Sequence, residues 1–227
     1  MDTPLQVLYE DNHLIAVNKK ASDLSQGDSS GDEPLDVRIK RYLAGKYNKP
    51  GEVFLGVVHR LDRPVSGVVL YARTSKALAR MNEIFRSREV RKIYWAIVSE
   101  RPPQSEGRIE NYLRKNEKQN KSYVFSEPVE GARRADLTYR LAGVSDRYYL
   151  LEIELHTGRH HQIRAQLAAA GMPVKGDLKY GAKRSNPDGS ISLHARSLQF
   201  LHPVKKVEIL IIAPAPETAI WKLFDHN

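Results

Sequence analysis

The chain has 227 residues, a net charge of +9 and no cysteine. Its 41% hydrophobic and 28% charged residues exclude a membrane-embedded or a disordered protein. The missing cysteine excludes disulfide frameworks, thiolate zinc sites, iron–sulfur clusters and cysteine nucleophiles. Any catalysis rests on carboxylates, His, Ser/Thr, Lys, Arg or Tyr, or on a metal held by oxygen and nitrogen.

In chain order, residues 5–10 and 13–18 read as a β-hairpin around Asp11-Asn12. Residues 20–32 are rich in Ser, Gly and Asp and read as a loop. Pro34 opens a helix with Leu35, Ile39, Tyr42 and Leu43 on one stripe, stopped near Gly45. Residues 54–60 and 68–72 read as strands flanking a loop at 61–67. Thr74 is placed to cap a helix carrying Leu78, Met81 and Phe85 on one face.

Residues 92–99 follow as a strand, then 101–135 as short strands and loops. Residues 136–142 and 148–155 are strands, the second alternating Tyr149, Leu151, Ile153 and Leu155. His156 to Arg159 turn into a helix that runs to about Ala170. A Gly/Lys loop spans 175–190, strands 191–200 and 207–213 follow, and Pro216 starts a last short helix. Strands outnumber helices without regular alternation. The expected class is therefore α+β with a mixed, largely antiparallel central sheet and flanking helices.

The start of the chain lacks the basic, apolar, small-residue progression of a signal peptide. The longest strongly apolar run, Ile209 to Ala213, is far short of the ~20 residues needed to span a bilayer. A cytoplasmic protein, monomeric by default, is expected, with no membrane partner.

Positive charge concentrates twice. Between Arg73 and Lys92 stand seven basic and two acidic residues; between Arg159 and Arg184, six and one. Such stretches suit phosphate contact with nucleic acid, or simply solvated helix faces. They flank the segments richest in chemistry. In His59-Arg60-Leu61-Asp62-Arg63-Pro64-Val65-Ser66-Gly67 an acidic residue sits in a turn among cations. Arg neighbours keep a carboxylate ionised and available as nucleophile or base. An Asp that merely caps a turn would look the same.

Three segments in order resemble the RluA family of pseudouridine synthases, and the similarity covers nearly the whole chain. They are His59-Arg60-Leu61-Asp62 with Ser66-Gly67, Arg91-Lys92-Ile93-Tyr94-Trp95-Ala96, and His156-Thr157-Gly158-Arg159-His160-His161-Gln162-Ile163-Arg164. Ser192-Leu193-His194-Ala195 adds a fourth match. The resemblance implies one catalytic domain over 1–227 with a basic cleft, and a cofactor-free, metal-free isomerisation of uridine in ribosomal or transfer RNA. The bond from ribose carbon 1′ to base nitrogen 1 breaks, and the uracil rejoins through carbon 5. It also implies Asp62 as the catalytic carboxylate. Tyr94 would pack on the target base, Arg164 would pair with Asp62, Ile163 would line the substrate site beside it, and Arg60 would fill the vacated base stack. A base inside a helix cannot reach a recessed carboxylate, so flipping is required.

The chain departs from the family pattern at Val65 and His160, where Thr is usual. Lys19-Lys20-Ala21-Ser22 stands where Lys-Pro-x-Gly is usual. The chain opens directly on the hairpin, so a short form without an N-terminal RNA-binding domain is expected.

Two rivals remain. His156 and His160 have the spacing of a helical metal pair, but Thr157 stands where a zinc hydrolase carries Glu. A non-catalytic RNA-binding module would explain the charge, but not the joint presence of Asp62, Tyr94 and Arg164. No phosphate-binding or dinucleotide glycine loop occurs.

Overall fold

The computed structural model describes residues 5–27 and 31–224. Of the loop expected at 20–32, residues 28–30 lie outside the described residues, as does Asp2 at the start. The chain divides into two compact units, residues 1–90 with 196–215, and residues 91–195 with 216–227.

The first unit begins with the expected hairpin, β1 (Val7–Glu10) and β2 (Leu14–Lys19), paired antiparallel. Asp11 fixes its turn, one carboxylate oxygen accepting the backbone N–H groups of His13 and Leu14 at 2.8 Å each. β2 pairs antiparallel with β4 (Ser66–Ala72), whose residues are all buried. A strand covered on both faces reads as a continuous apolar run, and 68–72 is one. The run at 54–60 shrinks to a two-residue strand, β3 (Gly56–Val57), against the end of β4. Val53 and Leu55 are buried there without a ladder, so apolarity at 53–58 reports burial and not strand.

α1 (Leu35–Lys46) buries Leu35, Ile39 and Leu43 at i, i+4 spacing. It runs past Gly45, and Tyr42 faces outward enough to bond Glu10. α2 (Ser75–Arg86) starts where expected, Thr74 Oγ1 accepting the Ala77 N–H at 3.1 Å. It buries Ala77 and Met81. Leu78 passes so close to β3 that a Cβ on Gly56 would lie 2.6 Å from its side chain. Gly56 thus permits helix and strand to touch. β10 (Leu193–Leu201) and β11 (Glu208–Ile212) form an antiparallel hairpin.

In the second unit β5 (Arg91–Val98), β9 (Tyr149–Leu155), β8 (Arg133–Val144), β6 (Glu106–Asn116) and β7 (Lys121–Phe125) pair antiparallel in that order. β6 is much longer than the short strands expected at 101–135, and β8 extends beyond the strand expected at 136–142 at both ends. Their polar faces hid them. Arg108 bonds Asp136 at 2.9 and 2.6 Å, and Arg134 bonds Glu110 at 2.8 and 2.7 Å, across the β6–β8 ladder. Cross-strand ion pairs stabilise a sheet without leaving an apolar signature. α3 (Gln162–Ala169) covers β6 and β7 through Leu113, Ala135, Ala165 and Tyr180. The last helix, α4 (Ala219–Lys222), begins later than Pro216. The fold class is α+β. No helix among the described residues is long and apolar enough to cross a membrane.

Candidate active site

Asp62 is half-buried in the turn before β4, in the first unit. Its carbonyl accepts the Val65 N–H at 3.0 Å, which closes the turn through Pro64. Gly67 leaves the turn at φ 117°, a conformation glycine adopts readily. Two buried side chains grip the turn. Ser25 Oγ accepts the Leu61 N–H and donates to the Leu61 carbonyl, both at 3.1 Å. Lys19 is fully buried, and its ammonium donates to the carbonyls of Lys20, Arg63 and Val65 at 2.9, 3.0 and 2.7 Å.

Burial pushes the Lys19 ammonium down to about 8, against the opposing attraction of Asp23 and Asp62. It is still charged at neutral pH, beside the carboxylate it helps to place. His59 completes the support: its Nε2 accepts the Leu70 N–H at 3.2 Å and its ring stacks on Phe85. Arg60 is exposed at the edge of this turn.

The other expected residues lie in the second unit. Tyr94 is buried on β5, opposite Ile153 of β9. Ile163 and Arg164 sit side by side in the first turn of α3, and both are buried. Arg164 lies within the core. Asp177 receives it, Nε to Oδ2 at 2.6 Å and Nη2 to Oδ1 at 2.9 Å. A bidentate pair of this kind fixes the guanidinium plane as well as its charge. Tyr180 lies under the guanidinium, its ring centroid 5.2 Å away.

The loop leading into α3 is laced by its own side chains. Thr157 Oγ1 accepts the Asp136 N–H at 2.9 Å and donates to Gln162 Oε1 at 2.8 Å. Gln162 Oε1 also accepts the Arg159 N–H at 2.9 Å, and Gln162 Nε2 donates to the Asp136 carbonyl at 3.2 Å. His161 enters the helix at φ 53°, held by the Tyr180 hydroxyl 3.0 Å from its Nδ1. Every polar residue of the motif from Thr157 to Arg164 thus has a position to hold. Arg108 holds the Asp136 carboxyl below its ordinary value.

The charge-rich stretches are less free than their counts suggest. Arg73 pairs with Glu10, Arg86 with Glu83, Arg91 with Glu154 and Arg164 with Asp177. Among the described residues, no group of three or more His, Asp or Glu side chains is arranged to hold a metal ion.

A sequence profile of the family described as RNA pseudouridylate synthase matches residues 13–169, which span the Asp62 turn, β5 and the Arg164 motif. The chain belongs to this family. It is 33% identical to ribosomal large subunit pseudouridine synthase D of Xylella fastidiosa, over 95% of this chain and 67% of that protein. It is 31% identical to ribosomal large subunit pseudouridine synthase C of Rickettsia prowazekii, over 92% and 68%. The chain spans about two thirds of the length of these relatives. In fold it is similar to human RNA pseudouridylate synthase domain containing 4, with a TM-score of 0.81 at 22% identity over 97% of this chain and 92% of that one.

Three residues that the motif reading does not name support these segments, Ser25, Asp177 and Tyr180, and Lys19, named only in a departing pattern, joins them. Lys19 stood in a pattern already noted as irregular, and Asp177 in a stretch read as a loop. Ser22, at the position where the family pattern carries Gly, has φ 76° and donates its N–H to the Arg63 carbonyl at 2.9 Å. It keeps the glycine conformation without the glycine.

Proposed function

We propose that this chain isomerises uridine to pseudouridine in RNA, with ribosomal large-subunit RNA as the substrate class its relatives point to. Asp62 is the catalytic carboxylate acting on the sugar of the target nucleotide. Arg60, Tyr94, Ile163 and Arg164 contact the substrate: Tyr94 against the uracil, Ile163 and Arg164 beside it, Arg60 in the place the base leaves. The reaction needs no co-reactant. The carbon 1′ to nitrogen 1 bond breaks, the carbon 1′ to carbon 5 bond forms, and the proton lost from carbon 5 is balanced by one gained at nitrogen 1.

The observation that carries this reading is the grip on the Asp62 turn. A turn Asp that only caps backbone needs no buried lysine and serine to hold its neighbours. Here the carbonyls of Arg63 and Val65, after Asp62, are engaged by a buried ammonium, and the main chain of Leu61, before it, by a buried serine, in a chain whose family match spans the same turn. Preorganised geometry of this kind is what lets a carboxylate act on a substrate without reorganisation at the moment of reaction.

Tritium release from RNA labelled at uridine carbon 5 tests the proposal. The RNA is prepared from cells lacking this protein, both as free ribosomal RNA and as large-subunit assembly intermediates. Release by the wild type establishes isomerisation. No release from either preparation, with RNA binding intact, returns the chain to a binding module.

A further inference from the structure

The outer face of the β6–β7 hairpin is a surface that the motif segments leave unused. Strand alternation puts Tyr112 and Arg114 on one face of β6, and the register sets them opposite Phe125 and Tyr123 of β7. The reverse face carries Leu113 and Val124, packed with Ala165 and Tyr180. The outer face borders a groove of about 530 Å³ whose lining includes Arg114, Lys115, Glu117, Lys118, Tyr123 and Phe125.

Its chemistry is specific. Tyr123 is 41% exposed, a large share for a strand aromatic. The Arg114 guanidinium lies 4.9 Å from the Phe125 ring centroid, and the Lys121 ammonium 5.8 Å from that of Tyr123. From 114 to 121 there are four cations and one acid, Glu117, which is bound to Lys115 at 2.6 Å. Lys118 makes no ion pair among the described residues.

The tip is also fixed in place. Asn116 Oδ1 accepts the Gln119 N–H at 3.1 Å, and Lys179 donates to the Asn120 carbonyl at 3.1 Å. His160 reaches the hairpin with both ring nitrogens, Nδ1 2.9 Å from Ser122 Oγ and Nε2 3.0 Å from Asn120 Oδ1. His160 therefore ties this hairpin to the segment that carries Arg164.

Flat π faces beside guanidinium and ammonium groups are what a stacked base and its phosphates require. We propose that the outer face of the β6–β7 hairpin is a second RNA-contact site, which takes unpaired nucleotides of the substrate with a base on Tyr123 and phosphates on Arg114 and Lys118. The proposal rests on RNA being the substrate. An acidic peptide would satisfy the cations but make no use of the exposed ring.

The test is fluorescence anisotropy of the full chain with a labelled single-stranded oligouridylate, over a salt series. Tyr123→Ala weakens binding about tenfold, as loss of one stacked base does, and Tyr123→Phe binds as wild type. Arg114→Gln with Lys118→Gln lowers the slope of log affinity against log salt by about 0.7 per cation removed. Arg147→Gln, the loss of one charge at the β8–β9 turn, changes neither affinity nor slope. Thermal melts check each fold, and if Tyr123→Ala fails to fold, the salt slope of the double variant decides. Wild-type affinity and slope in the variants overturn the hairpin site. So does an equal loss for the Arg147→Gln control. Tritium release by the wild type alongside such a result leaves the proposed function standing; absence of release with the predicted binding losses removes the catalytic reading alone.

Discussion

The turn around Asp62 and the loop into Arg164 are both held rigid, but by opposite means. The Asp62 turn is gripped by its backbone. Lys19 and Ser25 come from distant sequence and bond main-chain groups on either side of the carboxylate. The Arg164 segment is held through its own side chains: Asp177 clamps the guanidinium, and Thr157 and Gln162 bond each other and the main chain of Asp136 and Arg159. The first arrangement tolerates sequence change within the turn as long as carbonyls stay in place, and Val65 stands there where Thr is usual. The second depends on the identity of each partner.

The sharpest way to break this contrast is at Asp177. Asp177→Ala removes the bidentate acceptor of the buried Arg164 guanidinium and destabilises the fold by about 3–5 kcal/mol, as removal of one member of a buried pair does. Denaturant unfolding reads it. A loss below 1 kcal/mol would show that Arg164 is neutralised by other groups. Lys19→Met comes next. It leaves three carbonyls without their donor but also removes a buried charge, so the expected net loss is about 1–3 kcal/mol. Turnover should fall further than stability explains, because two of the freed carbonyls, of Arg63 and Val65, lie in the Asp62 turn. Turnover that tracks only the folded fraction would reduce Lys19 to a packing element.

Proton linkage gives Lys19 a signature of its own. Its folded pKa of about 8 lies below the ordinary 10.5, so across that window the unfolded chain binds the extra proton. Stability from this group then rises with pH between those values. The stability difference between wild type and Lys19→Met therefore shifts toward the wild type from pH 8 to 10.5. A flat difference would mean that the Lys19 pKa is not depressed. The smallest effect belongs to Ser22. At φ 76° a glycine removes the strain of a left-handed serine, so Ser22→Gly stabilises by roughly 1 kcal/mol. Destabilisation would assign the serine side chain a role in the loop.

The same contrast explains what the sequence disclosed. The candidate residues of the Asp62 and Arg164 segments were legible because chemistry at these positions is local: His59 to Gly67 and His156 to Arg164 are contiguous. The hairpin at 5–18, the Thr74 cap and β5 were legible from alternation and capping chemistry. Lys19 and Asp177 were not, since a lysine that bonds carbonyls 44 and 46 positions away leaves no periodic mark. β6 escaped because its ladder is dressed with Arg108, Glu110 and Arg114. The apolar residues at 53–58 misled for the converse reason, since they are buried without pairing along most of their length. Periodicity reports which face is dry, and not which partner makes it so.

The account turns on Asp62 acting in chemistry and not in folding or binding. The most direct measurement is turnover and RNA affinity of Asp62→Ala on the same substrate RNA. Turnover should fall by about 10⁴ or more, as loss of an essential catalytic group does, with affinity within a few-fold of wild type. A parallel fall in both would make Asp62 a structural residue of the turn and contradict the assignment.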